Sequence, residues 1–287
     1  MLQGADSMDL RLIRKIKGYI MLFLSTLAAL IGVVLLFAIL YKVIMSGLDG
    51  LNLNLFIKDE APAFLQASGG LRHAFIGQLL ITVIASLIGI PIGILGGIYL
   101  SEYAHNTKTG RFLSSLADVS ISIPTIIIGT FIYSILVRPL GHFNGWAGAA
   151  ALAVILIPIV MRTTEESLKL IPWQLREAAL ALGTPMYKVI KDIVIKSALT
   201  GIFTGVSLAV ARIAGETAPL LFTSFSNNTL SFNMNEPVAS LTVSIFTYAS
   251  SAFENWISLA WAAALVITVF ILITNIILKQ IMKKRSY

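Results

Sequence analysis

No cysteine occurs among the 287 residues, and charge is scarce, at 12% of positions against 57% hydrophobic. The first absence removes disulfides, thiolate metal sites and cysteine nucleophiles. The second excludes an ordinary soluble domain, where about 25% of residues are charged, and places the chain in a bilayer. There is no Gly-Lys-Ser or Gly-Lys-Thr phosphate loop, so any ATP hydrolysis, with its Mg ion, belongs to a partner. His73, His105 and His142 stand apart from one another, which leaves no metal cluster in view. No nucleophile and base are paired as in an enzyme. The expectation is a non-catalytic membrane subunit with no cofactor of its own.

What charge there is lies at the edges of apolar runs. The formal net charge is +7, yet the basic residues anchor membrane helices and form no patch for nucleic acid. A helix needs about 20 mainly apolar residues to cross the hydrocarbon layer. Six runs qualify: Gly18–Ile44, Phe75–Leu100, Leu113–Val137, Phe143–Met161, Leu199–Phe225 and Trp256–Leu278. The fourth is the shortest and the weakest. The first exceeds the roughly 7–15 residues of a signal-peptide core and is retained as a helix, with Met1 or Met8 as the start. The expected fold is all-α, a polytopic bundle of six spans.

Orientation follows from lysine and arginine. With a cytoplasmic N-terminus, four groups fall inside: Arg11, Arg14, Lys15 and Lys17; Lys108 and Arg111; Arg162, Lys169, Arg176, Lys188, Lys191 and Lys196; and Lys279, Lys283, Lys284 and Arg285. Only Lys42, Lys58, Arg72 and Arg138 fall outside. Basic residues concentrate on the cytoplasmic face, so both termini are expected there.

Within the runs, Gly89, Gly93 and Gly97, and likewise Gly201 and Gly205, are spaced for close helix packing. Pro91, Pro124 and Pro158 are expected to kink their spans. Between the fourth and fifth runs lies a helical hairpin, at about 163–198. Pro172 opens its first helix and Gly183 closes it; Leu175, Ala179 and Leu182 share a face. Thr184 and Pro185 are placed to start the second helix, with Met186, Val189, Ile190 and Ile193 as an apolar stripe. The hairpin is expected to seek a partner, or to lie on the membrane or on its own bundle.

The fifth run carries Arg212 near its middle and Glu216 one turn later. A charge at mid-membrane costs at least ~2.5–3.5 kcal/mol and faces a bundle interior or a wet cavity. At about 100° per residue, Gly205, Arg212, Glu216 and Thr223 share one narrow stripe of an unbroken helix. Two roles fit: an ion pair locking two helices, or a transient phosphate site, since guanidinium matches phosphate oxygens with a fork of donors. Glu216 moderates the charge and can accept a hydrogen bond from a protonated phosphate oxygen, which sulfate lacks at neutral pH. Arg162 and Lys279 are read as snorkelling at span ends, and Glu165 with Lys169 as a solvated pair. Asp118, Ser120, Ser122 and Thr125 line an exit path or simply pack.

Two motifs carry a resemblance. Glu177-Ala178-Ala179, then Gly183, then Ile193 and Ile195, resemble the EAA loop of ABC importer permeases, with Lys196 where that family has proline and Ile195 where it has leucine. Ala211-Arg212-Ile213-Ala214-Gly215-Glu216-Thr217-Ala218-Pro219-Leu220-Leu221-Phe222-Thr223 is similar to the signature of the PstA family of phosphate-importer permeases. Ser122-Ile123-Pro124-Thr125-Ile126-Ile127-Ile128-Gly129 is similar to that family's third span. The resemblance runs from about Leu71 to the C-terminus. It implies a type I ABC importer permease fold in a prokaryotic plasma membrane, with residues 1–70 as an N-terminal segment, first helix and external loop, and 71–287 as the permease body. It implies ATPase coupling through Glu177, Ala178, Ala179, Gly183 and Ile193, and a substrate pathway at Arg212, Glu216, Thr217 and Thr223. The implied partners are a PstC-type permease, two ATPase subunits of PstB type, an extracytoplasmic phosphate-binding protein of PstS type, and membrane lipid. Phosphonate, molybdate or sulfate are the other oxyanions to weigh. A gradient-driven carrier would show internal repeats and several intramembrane carboxylates, and would not need the hairpin.

The charge asymmetry makes a direct prediction. In this cysteine-free chain, a cysteine at Asn227 should react with an impermeant thiol reagent on intact cells, and one at Lys284 only after permeabilisation. The reverse pattern would invert the topology.

Overall fold

Small residues determine which helix occupies the middle of this bundle. The computed structural model describes residues 3–62 and 69–285 and, within them, the side chains of 14–62, 69–277 and 280. The choice between Met1 and Met8, and the placement of the Lys279 side chain, lie outside the described residues.

In chain order the helices are α1 (Gln3–Asp49), α2 (Asn54–Ile57), α3 (Arg72–Ile98), α4 (Lys108–Ser122), α5 (Thr125–Ile132) and α6 (Arg138–Leu140). They continue as α7 (Gly145–Lys169), α8 (Trp173–Ala181), α9 (Met186–Lys188), α10 (Ile195–Ile213), α11 (Ala218–Leu221), α12 (Leu241–Ala249) and α13 (Glu254–Arg285). Wider π turns join some of them: Tyr99–Tyr103 extends α3, Tyr133–Val137 links α5 to α6, and Val189–Val194 links α9 to α10.

Among the described residues, five helices are long and apolar enough to cross a membrane: α1, α3, α7, the continuous Met186–Ile213 helix and α13. The sixth crossing is a bent pair, α4 with α5–α6, meeting at 99°. The expected third span is therefore not one helix. Pro124 offers no N–H and disfavours helical backbone in the residue before it, and Ile123 is accordingly extended at ψ 130°. Pro91 and Pro158, by contrast, lie inside the unbroken α3 and α7.

The fourth run, weakest in the sequence, is the central helix. α7 begins at the Asn144 cap, whose side chain accepts from Ala147 N at 2.8 Å. It buries Ala147, Ala149, Ala151, Leu152, Leu156, Val160 and Leu168. Alanine and glycine lower its hydropathy but let neighbours come close. On one side a Cβ added at Gly89, Gly93 or Gly97 of α3 would stand 2.9 Å from Leu156, 2.7 Å from Val160 and 2.6 Å from Thr164. On another, one added at Gly201 or Gly205 of α10 would stand 2.8 Å from Ser167 and 2.6 Å from Thr163. α7 thus has α3 and α10 pressed against it, and both glycine sets are packing devices.

α1 is different. It meets α13 near its C-terminal end, where Gly47 and Gly50 approach Leu265 and Ser258, and Lys42 lies 5.6 Å over the Trp261 ring. The described side chains between Arg14 and Ile39 are exposed. At the end of the bundle opposite the hairpin, Arg72 grips Asp59 through two bonds of 3.0 and 2.8 Å, tying the α2 segment to α3. That hydrogen bond holds the Asp59 carboxyl below the usual carboxylate range.

Gly97→Leu is expected to destabilise the bundle by about 1–3 kcal/mol or more, because Met161 O stands 2.6 Å from the added Cβ and cannot yield. Gly18→Leu, with nothing within 4 Å, should be neutral. Thermal unfolding of the detergent-solubilised protein compares the two.

Candidate functional site

The fifth run does not stay helical. α10 ends at Ile213, and the next bonds are tighter: Gly215 N to Arg212 O at 3.1 Å and Glu216 N to Ile213 O at 3.2 Å. α11 then starts with Pro219 in its first turn, where a missing N–H does no harm. Gly201 and Gly205 of α10 lie opposite Ser167 and Thr163 of α7, so the two helices run antiparallel. Arg212 is seven residues beyond Gly205, about 10 Å further along the axis, which brings it level with the middle of α7. The break therefore falls at mid-depth.

This overturns the expected stripe. Arg212 is exposed, Glu216 and Thr217 are half-buried, and Thr223 is fully buried. The Thr223 hydroxyl donates to Pro219 O at 2.8 Å, and its carbonyl accepts from Asn144 N at 3.1 Å, so it fastens α11 to the start of α7. Gly205 faces Thr163 of α7. The Arg212–Glu216 ion pair does not form, and among the described residues Arg212 has no side-chain partner. The interhelical lock loses its basis.

What holds the break open is a set of polar residues. Thr242 of α12 donates its hydroxyl to Glu216 O at 2.8 Å, and Gln78 Oε1 of α3 stands 3.4 Å from the same hydroxyl. Gln78 in turn donates to Thr82 at 3.3 Å. An interrupted helix in a membrane is tolerated where such partners satisfy its freed backbone groups. Gln78, an amide inside an apolar run, is a signal that sequence reasoning could have used. Thr242 lies between runs and carried none. A cavity of about 830 Å³ opens between α3, α10, α12 and α13, but its lining is nearly all apolar, and Arg212 is not part of it.

The two segments that carried the finer resemblance touch here. A Cβ on Gly129 of α5 would stand 2.6 Å from Pro219 Cα, and beyond the two segments Phe143 stacks on Phe225 at 5.0 Å. Of the residues considered for an exit path, Ser120 and Ser122 bond back to their own helix at 2.7 and 2.9 Å. Asp118 is held by Arg162 at 2.8 Å, and Thr125 is half-buried.

The hairpin forms as α8, a turn and α9. Gly183 closes α8 at φ +80°, the left-handed region that glycine enters freely. Thr184 does not cap the second helix; Pro185 occupies that position and no side-chain cap forms. The second helix is also not separate, since Met186–Ile213 runs through into the fifth span. Its stripe is covered by the protein itself: Val189 and Ile190 are buried, Met186 and Ile193 are half-buried, and Val189 clusters with Leu168 and Ala179. The open surface belongs to α8 and its flanks. Glu177, Ala178 and Gly183 are exposed while Ala179 is buried, and Leu182 and Leu170 are 87% and 83% exposed beside Trp173 and Leu175.

Three charged residues behave unlike their sequence reading. Glu165 is not solvated; it is 3% exposed and accepts from both Lys169 at 2.6 Å and Arg162 at 2.7 Å. Arg162 does not snorkel but ties α7 to Asp118 and Ser114 of α4. Arg176, read only as a cytoplasmic charge, is 3% exposed and clamps Glu102 through two bonds of 2.9 and 2.7 Å. A separation of 74 residues hides that pair from any local pattern.

A six-crossing bundle with a mid-depth helix break and an exposed hairpin is an ABC importer permease in architecture. The chain belongs to the family described as "Binding-protein-dependent transport system inner membrane component", whose profile matches residues 89–287. Within it, the similar curated proteins carry a narrower description. "Phosphate transport system permease protein PstA" of Pasteurella multocida is 47% identical over 274 residues, covering 95% of this chain and 97% of that one. The protein of the same name in Haemophilus influenzae is 50% identical over 264 residues, covering 92% and 93%. The fold is that of a type I importer permease. A chain of the inward-facing MetNI methionine ABC transporter superposes with a TM-score of 0.63 at 17% identity, covering 74% of this chain and 94% of that one. A chain of an amino acid ABC transporter with histidines gives 0.56 at 18%, covering 74% and 92%.

Thr242→Val should leave Glu216 O without its donor and destabilise the protein by about 1–3 kcal/mol. Ser120→Ala, which removes only an exposed bond within one helix, should cost far less. Unfolding in mixed micelles measures both.

Proposed function

We propose that this chain is one of two membrane subunits of an ATP-driven phosphate importer, and that the break after α10 is its contact with the moving anion. The observation that carries the reading is the exposed, unpaired Arg212 at mid-depth beside an interrupted helix. A cation in that position is costly unless a wet path reaches it, and broken helices at mid-membrane are where transporters bind their ions. Guanidinium offers phosphate a planar fork of donors. Glu216 and Thr217, half-buried in the turn that follows, supply an acceptor for a protonated phosphate oxygen and a hydroxyl. Thr223, buried and engaged with Pro219, supports the turn from behind.

Relatives named as phosphate permeases support phosphate over phosphonate, molybdate or sulfate. The hairpin supports ATP coupling: α8 presents Glu177, Ala178 and a rim of exposed apolar side chains to a cytoplasmic ATPase, with Ile193 and Gly183 setting its angle. That docking puts both termini in the cytoplasm of a prokaryotic cell, in line with the basic-residue asymmetry. The partners are a PstC-type permease against the open face of Arg212, two PstB-type ATPases that bind ATP and Mg, and a PstS-type phosphate-binding protein at the opposite end. Residues 1–70, which include α1 and the external loop, serve attachment, and 71–287 serve transport.

Arg212→Met tests the anion contact. Because this side chain makes no ion pair among the described residues, assembly and thermal stability should be unchanged, while uptake of radiolabelled phosphate falls by about 100-fold, the size of loss that removing one preorganised donor from an oxyanion causes in an enzyme. Near-normal uptake by the assembled variant would overturn the reading.

A further inference from the structure

α8 is held to the rest of the protein by very little. Of its nine residues, Arg176 and Ala179 are buried. Arg176 directs its guanidinium inward: Nε donates to Glu102 Oε2 at 2.9 Å, Nη2 to Glu102 Oε1 at 2.7 Å and to Leu168 O at 3.1 Å, and Nη1 to Ile171 O at 2.8 Å. Glu102 also accepts from the Ser101 hydroxyl at 2.9 Å. Trp173 lies 5.3 Å from the guanidinium and covers it. One side chain thus joins α8 to the π turn that ends α3 and to the carbonyls that end α7.

α8 has two covalent routes: a short one back through Leu170, Ile171 and Pro172 to the end of α7, which runs the same way as the clamp, and a longer, forward one to α10. The forward route passes the Gly183 turn at φ +80°, the three residues of α9 and the π turn Val189–Val194 before α10 begins. The ion pair along that route, Lys196–Asp192, has side chains 69% and 49% exposed, and such pairs hold little. α3 and α7, by contrast, are joined along their length by the Gly89, Gly93 and Gly97 contacts. A two-bonded guanidinium–carboxylate pair also fixes orientation, which sliding apolar contacts do not.

We infer that the buried Arg176–Glu102 pair is the strut through which α8 moves the α3–α7 pair, so that ATPase motion enters the membrane through the second and fourth spans and not through the hairpin turn into the fifth. Arg176 and Glu102 are positioning residues in this scheme, and the inference rests on α8 docking the ATPase. As α3 and α7 shift together, α10 is displaced through its own glycine contacts with α7, and the break carrying Arg212 opens or closes.

The test uses the complete transporter in liposomes with its binding protein, and reads phosphate moved per ATP hydrolysed. The informative variant is the double change Arg176→Met with Glu102→Leu. Replacing a buried pair by apolar groups of similar size usually preserves folding but removes the fork. The expected result is an assembled complex that still hydrolyses ATP and moves about tenfold less phosphate per ATP. A merely structural role would lower both rates together and leave the ratio unchanged, and an unchanged ratio overturns the inference. Should the double variant fail to assemble, Arg176→Lys decides, because it keeps the charge and loses the fork: a reduced ratio supports the strut and a normal ratio sinks it. If replacing the exposed Leu170 and Leu182 by glutamate leaves the ATPase bound and transport normal, the docking reading fails instead.

Discussion

The close approach of α3 and α10 to α7 is the constraint on which the rest of the structure depends. Inside a bilayer there is no water to drive apolar helices together, so association relies on contact surface. Glycines at Gly89, Gly93, Gly97, Gly201 and Gly205, facing Leu156, Val160, Thr163, Thr164 and Ser167, supply that surface on two sides of one helix. With α7 fixed, its first turn anchors the Thr223 carbonyl through Asn144. Its last turns present Glu165 to Arg162 and Lys169, and the Leu168 carbonyl to Arg176. Each end of the central helix therefore organises a different piece of chemistry.

The ionic groups divide along the same axis. At the hairpin end, Arg162 and Arg176 are consumed in holding α4 and α8 to the bundle. At the opposite end, Arg72 is consumed by Asp59. Between them, at mid-depth, Arg212 stays exposed. A cation that no described neighbour neutralises, in the part of the protein where charge is most costly, is distinguished by the contrast with its paired counterparts.

Much of this was visible in the sequence, and the failures have physical causes. Long apolar runs placed α1, α3 and α13, and Pro172 with Gly183 bracketed α8, because those signals are local. The fourth run looked weakest since alanine and glycine depress hydropathy, yet the same small residues put α7 at the centre. Helical periodicity drew Gly205, Arg212, Glu216 and Thr223 into one stripe, but it assumes an unbroken helix. Gly215 and Pro219 were the punctuation that argued against one. The Arg176–Glu102 clamp and the Thr242 bond to Glu216 join residues distant along the chain, and no spacing rule reaches that far. Of the places open to the hairpin's second stripe, its own bundle is the one taken: Leu168 and Ala179 cover it.

The bend at Pro124 has a bearing on the membrane itself. With α4 turned 99° away from α5, the upright part of the third crossing is only Thr125–Leu140, which rises about 24 Å at 1.5 Å per residue. The hydrocarbon layer is about 30 Å thick. That wall is shorter than the layer, and beside it α4 adds the exposed apolar side chains of Phe112, Leu116 and Val119. A short wall of this kind favours a thinner bilayer, so the acyl-chain length of the surrounding lipid is expected to bear on the assembled transporter's activity.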